Sequence, residues 1–302
     1  MAAREALREQ FVRDGFVVLD SQQFLNRERV DALKLHLAHV LDGRYDRGCA
    51  PDKAPPVELD SRSSQQRQRK CSTKVIQVVN VHKCDSEFRA LATSEWLGEI
   101  VAHLAGWDNP VHGGARLAQD QVWMKPAGAP PLAFHRDSPY FMFDPSDVAT
   151  VWVALDDMDE EVGPLEYVRG SHVWQSAVSD ARQGAAKQFF NSDRGWEILV
   201  RAARHAGIAE EHIKLASLAG MTAGGIAVHD GRTWHGSGKN QSSTKPRRGL
   251  GMHFVPANVR FRADAQYSQL WKPYITAPNS EACTSAADVT LPDEDFPVTW
   301  KA

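Results

Sequence analysis

The sequence predicts a mainly β protein whose helices pack outside a sandwich or barrel core. From His112 onward, short β-rich runs alternate at close spacing with Pro, Gly and Asp turns. This is typical of a sandwich or barrel and not of a parallel α/β sheet. Before that point, apolar residues recur mostly at helical spacing. At 302 residues and without a visible internal repeat, the chain is long enough for one sizeable core.

The first elements are predicted to be two helices with a strand between them. A helix near Arg4 to Arg13 ends at Gly15, and "FVVLD" follows as a short strand. Asn26 is expected to cap a second helix that runs to about Leu41, because its side chain can accept a hydrogen bond from the first helical turn.

A polar loop, a strand and a further helix are expected next. Residues 42–73 are rich in Pro, Asp, Ser, Gln and Arg. Their basic part, Arg62 to Lys70, is interpreted as a solvated loop, with a flap over a site for an anionic substrate as the alternative. The run "KVIQVVNVHK", residues 74–83, predicts a strand, and Ser86 to Gly106 predicts one helix.

The second half is predicted to be built from β-rich runs. They are GARLAQDQVWMKP, ATVWVALDDM, PLEYVRGSH, AGGIAVHDG and RRGLGMHFVP. A helical insert from about Asp193 to Gly207 interrupts them. We therefore expect a single domain over residues 1–302, with N-terminal helices in 1–110 packed outside a β-barrel core at about 111–260 and a C-terminal extension in 261–302.

Composition indicates which binding partners and which cellular compartment are to be expected. A net charge of -3 and a pI near 6.5 give no reason to expect nucleic acid or an anionic membrane. No apolar run approaches the roughly 20 residues of a membrane span. The 4 cysteines lack metal-site spacing, which favours a reducing, cytoplasmic setting. We expect a small-molecule substrate and a monomer or homodimer.

One stretch matches a targeting pattern. "RVDALKLHL", residues 29–37, fits the N-terminal peroxisomal address, so a peroxisomal location is the alternative. However, Val30, Leu33 and Leu37 recur at helical spacing, which predicts the core face of a helix.

The stretch "FHRDSPYF", residues 134–141, contains the first candidate metal ligands. On a strand, His135 and Asp137 project to the same face. Downstream, "HDGRTWHGSGKN" offers His229 and His235, and small residues follow His235. Two imidazoles and one carboxylate form the facial triad of non-haem Fe(II) oxygenases. With 12 histidines in the chain, this pattern alone also fits a polar pair on a half-buried strand.

A second, independent feature is "KPRRGLGMHF", residues 245–254. If the metal carries a 2-oxoacid, a cation must hold the far carboxylate, and the planar fork of arginine suits that task. On a strand, Arg247 shares a face with Gly249 and Gly251, whereas Arg248 shares the face of the large apolar residues. Because the glycine face leaves room for a ligand, Arg247 is predicted to point inward and Arg248 outward.

Together these motifs resemble the phytanoyl-CoA dioxygenase family of Fe(II)/2-oxoglutarate-dependent oxygenases. The resemblance is carried by "FVRDGFVVLD", "FHRD", "VWVALDDMDEEVGPLEYVRGSH" and "HGSGKNQSSTKPRR", and covers about Phe11 to Val255. It implies a double-stranded β-helix (jelly-roll, cupin-like) core, Fe(II) as the metal, and 2-oxoglutarate and O2 as co-substrates. The implied reaction is hydroxylation of an unactivated C–H bond with release of succinate and CO2.

The resemblance also implies roles for particular residues. His135, Asp137 and His235 would bind the metal and form the catalytic centre. Arg247 would hold the tail of 2-oxoglutarate, with Ser237 in support. The other expected pocket residues are Trp152, Gln121 and Lys125 for the co-substrate and Arg136, Tyr140 and Phe141 for the substrate.

Four departures from the family pattern leave every ligand in place. Arg136 replaces the glutamine that is commonest between the first two ligands, Val162 replaces an asparagine, and Arg169 replaces a proline. One extra residue separates His235 from Arg247. Arg136 near the metal and the basic loop favour an anionic group on the substrate.

Two other function classes remain open. One is a cupin-like metal-dependent isomerase or hydrolase that does not use 2-oxoglutarate, and the other is a catalytically silent binding protein on the same fold. Arg247 argues against the first, and the intact ligand set argues against the second. Because halogenating relatives carry a small residue in place of Asp137, this aspartate favours hydroxylation, with desaturation or ring chemistry as alternatives that follow the same hydrogen abstraction. His229, His172 and His253 are interpreted as satisfied polar or supporting groups.

Overall fold

The computed structural model describes residues 2–19, 25–56, 73–174, 192–275 and 286–302. Within them the helices are α1 (Ala2–Asp14), α2 (Arg27–Leu41), α3 (Val81–Cys84), α4 (Ser86–Ala92), α5 (Glu95–Ala105), α6 (Ser192–His205) and α7 (Lys272–Ile275). The strands are β1 (Phe16–Leu19), β2 (Ile76–Val79), β3 (Gly114–Lys125), β4 (Leu132–His135), β5 (Phe143–Asp144), β6 (Ala149–Ala154), β7 (Leu165–Val168), β8 (Leu215–Ser217), β9 (Ile226–Asp230), β10 (His235–Ser237), β11 (Arg247–Pro256), β12 (Arg260–Phe261) and β13 (Val298–Lys301).

Helix α2 begins where the sequence predicts. The side chain of Asn26 accepts a hydrogen bond from the backbone N–H of Arg29 at 3.0 Å, which satisfies a donor of the first turn. Val30, Leu33 and Leu37 are buried on one face of the helix. This burial agrees with their interpretation as core residues.

The prediction of one helix over residues 86–106 is wrong, because two helices form there. Asp85 caps α4 by accepting hydrogen bonds from the N–H groups of Glu87 and Phe88. Helix α4 then ends, and Ser94 adopts an extended backbone with ψ at 130° before α5 begins. The apolar spacing continues across the break, so periodicity alone did not reveal it.

The strand predicted for residues 74–83 is shorter than expected. Strand β2 ends at Val79, and Asn80 follows in the left-handed backbone region with φ at 57°. Helix α3 then begins at Val81. The basic stretch from Arg62 to Lys70 lies outside the described residues.

Two antiparallel sheets form the body of the fold. The larger sheet has the order β1-β9-β6-β11-β3-β13, and β2 also pairs with β3. The smaller sheet has the order β4-β10-β7-β8. The mainly β jelly-roll class with flanking helices is therefore confirmed. The prediction of a β-barrel core is wrong in one respect, because the described strands form two separate sheets and do not close into a barrel.

The C-terminal segment is part of this body. Strand β13 pairs with the start of β3 and so belongs to the larger sheet. Before it, an aromatic cluster of Phe143, Phe261, Trp271 and Phe296 packs beside the end of the sheet.

The main hydrophobic core lies between the helices and the outer face of the larger sheet. Leu250, Met252 and Phe254 of β11 are fully buried there together with Leu33 and Phe88 of the helices. Since side chains alternate along a strand, the opposite face of β11 is turned toward the smaller sheet. No helix among the described residues combines the length and the apolar character needed to span a membrane.

Candidate metal centre

Two neighbouring strands of the smaller sheet bring His135, Asp137 and His235 together. His135 ends β4, His235 begins β10, and the two are register partners in the antiparallel pair. Their rings lie 4.2 Å apart between centroids. Oδ1 of Asp137 is 3.8 Å from Nε2 of His135 and 3.6 Å from Nε2 of His235. One donor atom from each residue therefore lies within 4.8 Å of the others.

Backbone carbonyls fix the tautomer of both histidines. Nδ1 of His135 donates to the carbonyl of Ala133 at 2.8 Å, and Nδ1 of His235 donates to the carbonyl of Thr233 at 3.0 Å. Because a carbonyl oxygen only accepts, each Nδ1 carries the proton and each Nε2 keeps its lone pair. Each Nε2 therefore carries the lone pair and lies on the side of Asp137, which is the arrangement that metal ligation requires.

The other carboxylate oxygen of Asp137 is held by the larger sheet. Its Oδ2 accepts hydrogen bonds from Oγ1 of Thr150 at 2.7 Å and from Nε2 of His229 at 3.0 Å. The second nitrogen of His229 accepts from the hydroxyl of Tyr167 at 3.2 Å. Asp137 is thereby oriented with one oxygen anchored and the other facing the two histidines.

The charges of this group suit a cation. Burial lowers the pKa of His135 to about 3 and that of His235 to about 4, so both imidazoles are neutral. Burial opposes ionisation of Asp137, yet the nearby histidines, led by His235, hold the pKa of its carboxyl well below the usual range. Two neutral imidazoles and one carboxylate, with the remaining positions open, fit non-haem Fe(II).

A second buried polar group lies at the opposite end of the inner face. Arg247 and Lys125 are register partners on β11 and β3, and both are almost completely buried. Arg247 donates to the carbonyl of Gly163 from Nε at 3.3 Å and from Nη2 at 3.2 Å. Nζ of Lys125 donates to Oγ of Ser237 at 3.1 Å and to the carbonyl of Gly238.

Neither basic side chain forms an ion pair within the described part of the chain, although the charges of Glu166 and Asp156 act on Lys125 and Arg247, respectively. Burial lowers the pKa of Lys125 to about 6, with the charge of Arg247 as a further cause, and burial lowers the pKa of Arg247 to about 10. Buried charges are costly unless they are paired. The geometry therefore forms a site for an anion whose charge would offset both cations.

Trp152 and two glycines shape the space between the two groups. The guanidinium carbon of Arg247 lies 5.7 Å from the centre of the Trp152 ring. A Cβ atom on Gly249 would lie 2.5 Å from that ring, so glycine is required there. At Gly251 an added Cβ would have no neighbour closer than 3.9 Å, which leaves free room on the inner face.

The remaining residues predicted for the substrate side have different surroundings. Arg136 is partly buried, with its guanidinium carbon 5.3 Å from the centre of the Trp234 ring. The carbonyl of Tyr140 accepts from Nε1 of Trp271 at 2.7 Å. Phe141 is buried, and its ring lies 4.7 Å from that of His253. It therefore packs behind His253, and most of its surface is already covered.

Gln121 and Arg248 also have partners within the chain. The Gln121 amide accepts from Nε2 of Gln77 at 2.5 Å and donates to Gln119. Arg248 lies on the other face of β11 and pairs with Asp156 at 2.6 Å. The structure thus buries Arg247 on the inner face and directs Arg248 away from it.

Three further histidines and a threonine have supporting contacts. His253 donates from Nδ1 to Oγ1 of Thr150 at 2.9 Å and lies 3.6 Å from Asp137. His229 contacts Asp137 directly, whereas His172 donates to the carbonyl of Val12 and packs under α1. Thr150 was missed by the sequence analysis, although it shares its strand face with Trp152 and the period of two was enough to reveal it.

Comparisons with known proteins agree with this arrangement. The family model described as Phytanoyl-CoA dioxygenase (PhyH) matches residues 11–249. A "Probable alpha-ketoglutarate-dependent hypophosphite dioxygenase" of Stutzerimonas stutzeri is 25% identical over 179 residues. The matched segment covers 58% of this chain and spans only 56% of that protein.

Solved structures share the whole fold at low sequence identity. The non-heme alpha ketoglutarate dependent epimerase SnoN from nogalamycin biosynthesis is 21% identical with a TM-score of 0.67, over 99% of this chain and 98% of that chain. EctD from S. alaskensis, solved with 2-oxoglutarate and 5-hydroxyectoine, is 18% identical with a TM-score of 0.58, over 87% and 78%. At these sequence identities, the structural similarity establishes a shared fold and nothing more about function.

Proposed function

The chain belongs to the phytanoyl-CoA dioxygenase family, and on that premise we propose that it is an Fe(II)- and 2-oxoglutarate-dependent dioxygenase. The expected reaction is hydroxylation of an unactivated C–H bond of a small molecule. Succinate and CO2 are the expected co-products. The family membership supports the dioxygenase class, and the arrangement of two buried polar groups supports the particular cofactor set.

The observation that carries the proposal is the pairing of a cation site with an anion site on one inner face. His135, Asp137 and His235 present two neutral imidazoles and a carboxylate. Arg247 presents a buried guanidinium and Lys125 a buried amine that would become protonated beside an anion, and neither forms an ion pair among the described residues. A dianion that chelates a metal at one end and carries a carboxylate at the other complements both groups, and 2-oxoglutarate is such a molecule.

The roles of the residues follow from their contacts. His135, Asp137 and His235 would hold Fe(II), and Thr150 and His229 would keep Asp137 turned toward it. The fork of Arg247 would bind the far carboxylate, with Lys125 and Ser237 as further donors. Trp152 would form one wall of the co-substrate pocket, and Gln121 would border it. When bound, the metal and co-substrate supply the oxidising chemistry, while the protein supplies position and shelter from water.

Relatives support the same cofactor set. The S. stutzeri protein is named as alpha-ketoglutarate-dependent, and SnoN is also solved in complex with Fe3+, alpha ketoglutarate and nogalamycin RO. Because SnoN is named as an epimerase, the oxidation of a C–H bond has more than one outcome on this fold. We favour hydroxylation because the chain retains Asp137 as a ligand and so leaves no halide position.

The substrate side of the site supports a narrower proposal. Arg136 directly follows His135, and its partly buried guanidinium lies near Trp234. We assign to Arg136 the recognition of an anionic group on the substrate, with Tyr140 on the apolar side of the same pocket and Phe141 packed behind it. Once a substrate is found, Arg136→Glu should raise its KM, with Arg136→Gln giving a smaller increase. An unchanged KM in Arg136→Glu would contradict the assignment.

The test of the function is an anaerobic titration of the metal-free protein with Fe(II) in the presence of 2-oxoglutarate. A weak visible charge-transfer band, typical of this chelate, should appear, and admission of O2 should produce succinate. Metal binding without the band would favour a metal-dependent isomerase or hydrolase. Absence of metal binding would leave a silent binding protein. Product analysis with a substrate panel then separates hydroxylation from epimerisation.

A further inference from the structure

We infer that the junction between helices α2 and α4 is a second metal site, one that takes a divalent transition-metal ion such as Zn2+. Its residues, here called the α2–α4 cluster, are His36, His39, Asp46 and Asp85. One donor atom each from His36, Asp46 and Asp85 lies within 4.8 Å of the other two. This cluster is separate in sequence and in secondary structure from the group around Asp137.

The donor atoms have the spacing of metal ligands. Nδ1 of His36 and Oδ2 of Asp85 lie 2.8 Å apart. Ligands at about 2.0–2.2 Å from a tetrahedral zinc ion lie roughly 3 Å or slightly more from each other. An ion can therefore replace the hydrogen between these two atoms with a small outward shift of either side chain.

Both carboxylates are held in place by the start of α4. Oδ1 of Asp85 accepts from the backbone N–H groups of Glu87 and Phe88, which leaves Oδ2 facing His36. Asp46 accepts from the backbone N–H of Ser86 at 2.9 Å and from its hydroxyl. The two carboxylates are thus oriented before any ion binds, which lowers the entropic cost of binding.

The carboxylates of the cluster have no direct ion pair with arginine or lysine. Among the described residues, neither Asp46 nor Asp85 has an ion pair with a basic residue other than the imidazole of His36. The nearby arginines have other ion-pair partners, since Arg44 pairs with Asp42 and Arg47 pairs with Glu294, and the charge of Arg47 acts on Asp46 only at longer range. Asp85 is almost fully buried, so a cation beside it would offset a costly charge.

A second imidazole lies next to the three-residue group and would have to turn toward it to become a fourth ligand. His39 follows His36 by one helical turn, and the two rings lie 5.6 Å apart between centroids. Within the described ranges, the ring nitrogens of His39 have no hydrogen-bond partner. His36, His39, Asp46 and Asp85 all line a cavity of about 350 Å³ together with Arg44 and Tyr45. Two imidazoles and two carboxylates in a tetrahedral arrangement suit zinc.

The experiment is a calorimetric Zn2+ titration of the full-length metal-free chain. His135→Ala removes a ligand of the group around Asp137, so this variant should still bind one Zn2+ and gain Tm from it. Adding Asp46→Asn should weaken the remaining site at least tenfold while keeping a side chain of the same size that can accept from Ser86. His39→Gln, which leaves the helix-capping contacts untouched, should weaken it as well.

The matched control is His103→Gln, which disrupts a similar His–Asp contact of 3.1 Å between His103 and Asp108, a pair that belongs to no group of three possible ligands among the described residues. Zn2+ affinity should not change in this variant. If His135→Ala binds no Zn2+, or if neither Asp46→Asn nor His39→Gln weakens its binding, the cluster is only a capped helix start with a His–Asp pair. The result does not depend on whether the chain turns over 2-oxoglutarate.

Discussion

The inner face between the sheets has an acidic group at one end and basic groups at the other. The two ends differ in the hydrogen-bond partners that the protein itself supplies. At the metal end, Thr150 and His229 donate to Oδ2 of Asp137, and the Nε2 atoms of His135 and His235 lie near its Oδ1. At the other end, Arg247 and Lys125 donate hydrogen bonds only to neutral oxygens, those of Gly163, Gly238 and Ser237.

This difference separates the side chains that the protein already orients from the charges that a bound ligand would offset. At the metal end the orientation is complete within the protein, and a cation adds charge compensation. At the cation end the charge itself is uncompensated, so an anion is needed to make the burial favourable. The following predictions test this contrast, from the largest expected effect to the smallest.

Removal of a metal ligand should have the largest effect. His135→Ala should abolish detectable succinate formation and strongly weaken Fe(II) binding, while circular dichroism shows an unchanged fold, because His135 is on a strand end and partly exposed. The measurements are metal content per chain and 2-oxoglutarate turnover. His112→Ala, which changes a partly buried histidine before β3, is the control and should behave like the parent. Normal turnover in His135→Ala would show that the centre lies elsewhere.

Removal of the buried arginine should weaken binding of the co-substrate without weakening binding of the metal. Loss of a buried charge partner costs about 2–5 kcal/mol, so Arg247→Ala should weaken 2-oxoglutarate binding by ~30-fold or more. Fe(II) affinity should be nearly unchanged. Arg248→Ala is the matched control, because this neighbour points to Asp156 on the other face. Equal losses in the two variants, measured by anaerobic titration of the charge-transfer band, would contradict the inward role of Arg247.

Loss of the support behind Asp137 should have an intermediate effect. His229→Ala removes a donor to Oδ2 of Asp137 and should reduce Fe(II) affinity or activity by about tenfold or more, as for other groups that orient metal ligands. Tyr167→Phe removes only the hydroxyl that contacts His229 and should have a smaller effect. If Tyr167→Phe were the more damaging of the two, the order of these contacts would need revision.

The lysine at the cation end should give the smallest effect, visible as a pH dependence of stability. Burial lowers the pKa of Lys125 from 10.5 to about 6 in the folded protein. Between those values the unfolded chain binds a proton that the folded chain does not, so stability without co-substrate rises with pH. The slope from this one proton is at most about 1.4 kcal/mol per pH unit.

Urea unfolding at several pH values above about 6 measures this slope. In Lys125→Met the contribution should vanish, because methionine fills similar space without a charge. In the presence of 2-oxoglutarate the lysine should be protonated, so co-substrate affinity should fall as pH rises above about 6 in the parent and change less in the variant. Identical pH profiles of parent and variant would show that Lys125 does not titrate in this range.

The sequence by itself determined much of the local arrangement. The alternation of side chains along a strand placed His135 and Asp137 on one side and separated Arg247 from Arg248, because a strand fixes this period of two locally. The cap at Asn26 and the buried face of α2 were predictable for the same reason, since both depend on neighbours within one or two turns. The family resemblance supplied the jelly-roll class, which the two antiparallel sheets confirm.

The tertiary structure decided what depends on distant segments. Strand register made Lys125 the partner of Arg247 and placed Thr150 and His229 behind Asp137, and no spacing along the chain specifies such pairings. The break at Ser94 and the approach of Asp46 and Asp85 to His36 likewise follow from how helices pack on the sheet. Local periodicity determines the direction in which a side chain points, whereas packing and strand register determine which residues it contacts.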